Sequence, residues 1–128
     1  MNRLMQMTLA AVAAMLVACS GPDPQGKGDS IVLGFSQIGA ESEWRTANTT
    51  SVQTAAKEAG ITLRFSDAQQ KQENQIKALR SFIAQRVDVI AFSPVVETGW
   101  ETVLREAKAA GIPVILTDRA VEVSDESL

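Results

Sequence analysis

The sequence predicts an α/β fold, a doubly wound parallel sheet with helices on both faces. Short apolar runs alternate with longer stretches that have helical periodicity, and the runs begin near residues 31, 61, 87 and 112. The resulting spacings of 30, 26 and 25 residues fit βαβ units, which need about thirty residues each. Because such crossovers are right-handed, they place the sheet between two helical layers.

Each predicted strand is a short apolar run, as expected for a parallel strand that is buried on both faces. The four predicted strands cover residues 31–36, 61–66, 87–93 and 113–117. Ligands of open parallel sheets bind beyond the carboxyl ends of the strands. We therefore expect a site near Ser36-Gln37, Asp67-Ala68, Ser93-Pro94 and Asp118-Arg119.

Three helices are predicted between these strands. The first covers residues 43–59, with Ser42 as its N-cap and Gly60 as a left-handed stop. The second covers residues 71–86, and the third runs from a predicted capping box of Thr98 and Glu101 to Gly111.

Polar and aromatic side chains near these helices have simple structural interpretations. Trp100 is expected in the core, and Asp67 is expected either to cap the next turn or to contact a ligand. A solvated helix face is predicted for Gln69, Gln70, Gln72 and Gln75.

Composition excludes several classes of function. The 128 residues include no His and one Cys, so His-dependent catalysis, a His-ligated metal and an internal disulfide are excluded. A net charge of −3 offers no basic surface for nucleic acid. The glycines at 34 and 39 have phosphate-loop spacing, but Ala40-Glu41 stands where Lys-Ser/Thr would be required. We expect neither an enzyme nor a cofactor-dependent protein.

The N-terminus is typical of a lipoprotein signal peptide. A basic start with Arg3 precedes an apolar stretch that is too short for a confident membrane span. Leu16-Val17-Ala18-Cys19 resembles a bacterial lipobox, although an ordinary signal peptide with an incidental Cys is the alternative. We therefore predict a signal at 1–18, lipidation at Cys19, a flexible tether at 19–30 and a domain at 31–128.

The segment after the first strand contains the first group of candidate binding residues. Ser42 can cap the following helix, which places Arg45 in a first turn where the macrodipole disfavours a cation. The indole of Trp44, in the same turn, can pack on the C–H face of a polyol ring, while the guanidinium donates to hydroxyls. The alternative is that Trp44 is core and Arg45 pairs with Glu41 or a neighbouring acid. The candidate segment comprises Glu41, Ser42, Glu43, Trp44 and Arg45.

Asp118 and Arg119 form the second candidate group, directly after the fourth strand. A carboxylate accepts hydrogen bonds from sugar hydroxyls and a guanidinium donates to them. The pair can therefore bind both the donor and the acceptor of a hydroxyl group. A structural ion pair at the strand end is the alternative.

From residue 31 to residue 128 the chain resembles the N-terminal lobe of type I periplasmic sugar-binding proteins, the ribose-binding family, and especially its galactofuranose-binding branch. The segments that carry the resemblance are Gly34-Phe-Ser-Gln, Glu41-Ser-Glu-Trp-Arg45, residues 67–77, residues 93–100 and Thr117-Asp-Arg119.

The resemblance implies two α/β lobes that close over one monosaccharide, so this chain would hold an incomplete first lobe. It implies sugar contacts from residues 41–45 and from Asp118 and Arg119. It also implies a membrane permease as partner and, with the lipobox, an extracytoplasmic protein anchored to a membrane.

Two other functions share this fold. One is the effector-binding domain of a lactose-repressor-type regulator, which would begin with a basic helix-turn-helix instead of a signal. The other is a sugar sensor that reports to a membrane receptor, which the sequence does not separate from an importer component.

Overall fold

The structure is a computed structural model that describes residues 30–128. The predicted signal peptide, the lipidation site and almost all of the predicted tether lie outside that range. Strands and helices alternate along the chain in the order β1 Val32–Gln37, α1 Glu43–Glu58, β2 Thr62–Asp67, α2 Gln72–Ala84, β3 Val89–Phe92, α3 Glu101–Ala109 and β4 Val114–Leu116.

The four strands form one parallel sheet in the order β2-β1-β3-β4. From β1 the chain first crosses to β2, then returns past β1 to β3 and continues to β4. This reversal creates a switch point between β1 and β3, where the loops after the two strands diverge. The predicted doubly wound α/β class is confirmed.

Alternating side chains of β1 show which helix covers each face of the sheet. A Cβ at Gly34 would lie 2.6 Å from Cγ of Phe82 on α2. Gln37 points to the opposite face, where its Nε2 donates to Oδ1 of Asn48 on α1 at 2.8 Å. Helix α1 therefore lies on one face, and α2 lies on the other, packed against α3.

The α2/α3 face holds the apolar core of the domain. Trp100 and Phe92 are fully buried, and their ring centroids lie 4.9 Å apart. Indole Nε1 of Trp100 donates to the carbonyl of Val96 at 2.7 Å, so burial leaves no polar atom of this side chain unpaired. The core position predicted for Trp100 is confirmed.

The α1 face is more polar. Only two side chains of α1 are buried, Arg45 and Ala56. Gln37 is fully buried, and its Oε1 accepts from the backbone N–H of Ile38 at 3.0 Å. This bond fixes the first residue of the loop that leads to α1.

The helix boundaries agree with the sequence to within two residues at every end except the start of α3. The Oγ of Ser42 caps α1 by accepting from the N–H of Arg45, and Gly60 takes a positive φ of 67°. The capping box predicted at Thr98 and Glu101 is wrong. Helix α3 begins at Glu101, after Trp100, and the Glu101 carboxylate instead accepts the N–H of Ser124 at 2.6 Å.

The prediction of a solvated glutamine face is wrong for Gln75. Gln69 and Gln70 precede α2 with positive φ angles, and Gln72 is partly buried at the start of α2. Gln75 is completely buried. Asp67 caps a turn, as one of its two interpretations predicts, by accepting the N–H of Gln69 at 2.7 Å.

Strand β4 forms one edge of the described sheet and carries exposed apolar side chains. Ile115 and Leu116 are 53% and 37% exposed. Residues 121–128 cross the outer side of α3, where Val121, Val123 and Leu128 pack against the core.

Within residues 30–128 no helix is long and apolar enough to cross a membrane.

Candidate functional site

The fold brings the two candidate segments together at the carboxyl ends of the strands. The Nη1 of Arg45, at the start of α1, donates to Oδ2 of Asp118, beyond β4, at 2.9 Å. These residues are 73 positions apart in the sequence. Their contact spans the switch point between β1 and β3, the place where parallel sheets of this class bind ligands.

Arg45 is the centre of the cluster. It is only 7% exposed although it lies in the first turn of α1. Two carboxylates compensate its unfavourable position: Asp118, and Glu41, whose Oε1 accepts from Nε at 3.3 Å. The pairing with Glu41 given as the alternative interpretation is observed. Nη2 makes no hydrogen bond to the described residues, so donors remain available for a ligand.

Trp44 presents an aromatic surface beside this guanidinium. Its side chain is 54% exposed, so the alternative that it belongs to the core is wrong. The guanidinium carbon of Arg45 lies 4.7 Å from the ring centroid, within cation–π range. The contact restrains the indole next to the donors of Arg45.

Ser42 and Glu43 have different relations to the site. The Oγ of Ser42 accepts the N–H of Arg45 at 3.2 Å, so its main role in the structure is to begin α1. Glu43 is exposed in the first turn and makes no hydrogen bond or ion pair with the described residues. With Glu41 and Ser42 it lines an open groove beside the helix start.

Asp118 has an unusual backbone conformation that aims its carboxylate. Its φ is +67°, and the N–H of Arg119 donates to the carbonyl of Thr117 at 2.7 Å, closing a three-residue turn around it. This left-handed conformation is uncommon outside glycine, and such residues concentrate at functional sites. The turn directs Asp118 towards Arg45, which offsets the strain with a charge-assisted hydrogen bond.

Arg119 is half-exposed and is anchored by a single backbone contact. Its Nη1 donates to the carbonyl of Val95 at 3.2 Å, while its Nε is 3.9 Å from Oδ2 of Asp118. The rest of its guanidinium therefore faces solvent beside the cluster.

The balance of charge at the site disfavours an anionic ligand. Carboxylates of Glu41, Glu43 and Asp118 outnumber the guanidiniums of Arg45 and Arg119 by one. An anion would meet this excess of negative charge, whereas hydroxyls can pair with both donors and acceptors. In the described part of the chain, no group of three His, Cys, Asp or Glu residues could hold a metal ion.

Gln75 and Gln37 are buried polar residues close to the site. The sequence placed Gln37 at a strand end and Gln75 on a solvated face, and it predicted a buried, hydrogen-bonded position for neither of them. Gln75 bonds to the loop after β3, and Gln37 bonds to α1. Helical spacing could have revealed Gln75, because it lies three, four and seven positions before the buried residues Ala78, Leu79 and Phe82.

Comparison with known families identifies the fold. The sequence profile of the periplasmic binding protein domain matches residues 33–128. The chain belongs to this family. Membership implies an extracytoplasmic location, and the relatives are binding proteins, not enzymes.

Several furanose-binding proteins are similar to this chain. It is 50% identical over 127 residues to the galactofuranose-binding protein YtfQ of Escherichia coli (strain K12), covering 99% of this chain and 37% of that protein. A Mycobacterium smegmatis protein in complex with β-D-fucofuranose is 66% identical with a TM-score of 0.75, covering 76% of this chain and 32% of that one.

A third relative has the same ring form in its site. The arabinose transporter binding protein of Shewanella sp. ANA-3, bound to α- and β-L-arabinofuranose, is 61% identical with a TM-score of 0.74, covering 75% of this chain and 32% of that one. The chain thus spans about a third of the length of these relatives. The predicted resemblance to sugar-binding proteins of ABC transporters is confirmed.

Proposed function

We propose that this protein is an extracytoplasmic solute-binding lipoprotein that captures a monosaccharide in a galactofuranose-like ring form for an ABC importer. The observation that carries the proposal is the contact between Arg45 and Asp118 at 2.9 Å, with the exposed ring of Trp44 beside it. It joins an aromatic surface, free donors and carboxylate acceptors at the switch point.

Each component has a distinct role in holding a neutral sugar. The exposed indole of Trp44 packs against ring C–H groups, and Nη2 of Arg45 donates to a hydroxyl. Asp118 keeps acceptor capacity, since each carboxylate oxygen has two lone pairs. Arg119 supplies a second donor at the rim, and Glu41 and Glu43 supply further acceptors. Ser42 supports these contacts by starting α1 at the correct place.

The choice of a furanose rests on the relatives. One of them is named as a galactofuranose-binding protein, and the structures of two others contain arabinofuranose and fucofuranose. Their shared element is the five-membered ring, and the substituents differ. The compact cluster of Trp44, Arg45 and Asp118 suits recognition of the ring and its hydroxyls.

A surface open on one side does not exclude water from a sugar. Asp118 and Glu41 retain side-chain exposures of 31% and 33%, so solvent competes for their hydrogen bonds. Binding sites for small ligands bury most of the ligand surface. We expect a second lobe to close over this edge, as the family resemblance implies.

Membrane attachment through Cys19 completes the proposal. A lipidated Cys followed by the polar tether at 19–30 would hold the binding domain near a permease in the same membrane. Labelling with palmitate, followed by membrane fractionation, should give a labelled membrane-bound protein and an unlabelled Cys19→Ser variant. A wild-type protein that remains unlabelled and cytosolic would refute the anchor and the assigned location.

The test of sugar recognition uses ring forms that do not interconvert. The purified protein is titrated calorimetrically with galactose and with two anhydro-alditols of galactose, one fixed as a furanose ring and one as a pyranose ring. Both alditols lack the anomeric hydroxyl, so they are matched controls for each other. We expect galactose to bind and the furanose form to displace it. Displacement by the pyranose form alone, or no binding of any sugar by the protein with both lobes present, would refute the proposal.

A further inference from the structure

Gln75 connects helix α2 to the loop beyond β3. Its side chain is fully buried. Its Nε2 donates to the carbonyl of Ser93 at 2.6 Å, and its Oε1 accepts the N–H of Val95 at 2.8 Å. One amide thus satisfies backbone groups on both sides of Pro94, where the ladder of β3 has ended and proline has no N–H to contribute.

The loop held by Gln75 in turn supports the β4 side of the candidate site. The carbonyl of Val95 accepts Nη1 of Arg119 at 3.2 Å. The hydroxyls of Ser93 and Thr117 are 2.8 Å apart, which ties the same loop to the first residue of the turn around Asp118. Both contacts end on the segment 117–119.

The geometry points to Gln75 as a positioning residue that fixes the turn of residues 117–119 through the loop of residues 93–95. This inference rests on the proposed function for its effect on sugar affinity, although the positioning itself can be measured without sugar. Gln75 lies under the loop, fully buried, and none of the side chains assigned to sugar contact bonds to it. It acts through Val95, Ser93 and Thr117.

Two variants of Gln75 and one matched control test the inference. Gln75→Met keeps the length of the side chain and removes both hydrogen bonds. Gln75→Glu keeps the acceptor for Val95 and, because full burial favours the protonated carboxyl, keeps a donor to Ser93 only while that carboxyl is neutral. The control is Gln72→Met, on the same helix, where Nε2 donates to the carbonyl of Thr98 at 2.7 Å instead.

The first readout is amide hydrogen exchange of the unliganded protein. We expect the amides of Val95 and Arg119 to exchange on the order of tenfold faster in Gln75→Met. In Gln75→Glu we expect a smaller change at acidic pH, where the protonated carboxyl can donate to Ser93, than at neutral pH. Gln72→Met should leave both rates unchanged. Unchanged rates in Gln75→Met, or equal acceleration in the control, would overturn the positioning role even when no sugar binds.

The second readout is a double-mutant cycle on sugar affinity. Gln75→Met alone should weaken binding about tenfold. Because part of this effect passes through Arg119, the double variant with Arg119→Ala should bind more tightly than the product of the two single effects predicts. Fully additive losses would show that Gln75 does not act on the sugar through Arg119. A wild-type protein with both lobes present but without sugar affinity would refute the proposed function and leave hydrogen exchange as the deciding measurement for Gln75.

Discussion

The two faces of the sheet use their side chains for different purposes. On the α2/α3 face, Phe82, Phe92 and Trp100 form a closely packed apolar core with exposures of 4% or less. On the α1 face, the buried side chains include Gln37 and Arg45, each held by directed hydrogen bonds. The comparison indicates that the α2/α3 face supplies most of the stability, while the α1 face carries Arg45, the centre of the candidate site.

This difference follows from the chemistry of each face. Apolar burial is non-directional and grows with area, so the α2/α3 face gains stability from large rings. A buried guanidinium gains little net stability, because its desolvation offsets its ion pairs. Arg45 contributes instead by fixing Asp118 and Glu41 in place.

The largest effect should follow truncation of an aromatic residue on the α2/α3 face. Phe92→Ala should lower the free energy of unfolding by about 3–5 kcal/mol, because Phe92 is fully buried against Trp100. The matched control is Phe65→Ala, whose ring stacks on Phe35 on the other face and is 37% exposed. Phe65→Ala should lower the free energy of unfolding by roughly half as much. Equal losses in urea denaturation would break the comparison between the faces.

A smaller loss should follow the addition of one methyl group to β1. Gly34→Ala would place its Cβ 2.6 Å from Cγ of Phe82, so the ring or the strand must move. We expect a loss of about 1–3 kcal/mol by thermal or urea denaturation. Phe82→Leu should lower the free energy of unfolding less in the Gly34→Ala background than it does alone, because the smaller Leu side chain leaves room for the added methyl group. Simple additivity would contradict this close packing.

The smallest effect concerns the segment that covers α3. Hydrogen bonds from Ser124, helped by Arg105, lower the pKa of Glu101. Because the folded pKa lies below the unfolded one, this stabilisation is present above the unfolded pKa and is lost as pH falls through the folded pKa. Glu101→Gln should therefore reduce the loss of stability on acidification.

Glu126→Gln is the matched control for that measurement, because the carboxylate of Glu126 makes no hydrogen bond to the described residues. Stability is measured by urea denaturation at neutral and acidic pH. An equal change in the acid-side slope for both variants would show that the contact between Glu101 and Ser124 does not contribute.

Sequence patterns predicted the fold because its signals are local. The apolar runs, Ser42 and Gly60 each act within a few residues, and the strand spacing leaves few topologies other than parallel crossovers. The capping box failed because Thr98 and Glu101 matched a spacing that many loops share. The Glu101 carboxylate is instead taken up by Ser124, a partner that only the folded chain supplies.

The sequence indicated the residues of the candidate site, but it did not predict the contacts between them. The cation at Arg45, placed against the macrodipole, indicated a role, but only the fold shows that Asp118 compensates it. The positive φ of Asp118 has only a weak sequence signal, since Asp adopts this conformation more often than most residues but much less often than Gly. The prediction for Gln75 was wrong because glutamine is usually solvated, whereas its position follows the helical spacing of the buried residues of α2.

The most direct test of the central claim is the calorimetric affinity of Trp44→Ala for the sugar that the wild-type protein binds. The claim is that the exposed indole beside Arg45 and Asp118 contacts the ligand. Truncation should weaken binding at least about tenfold with little change in the free energy of unfolding, since Trp44 is 54% exposed. Phe65→Ala, which removes an exposed aromatic ring of edge strand β2 outside the two candidate segments, should bind normally. Unchanged affinity in Trp44→Ala would contradict the account.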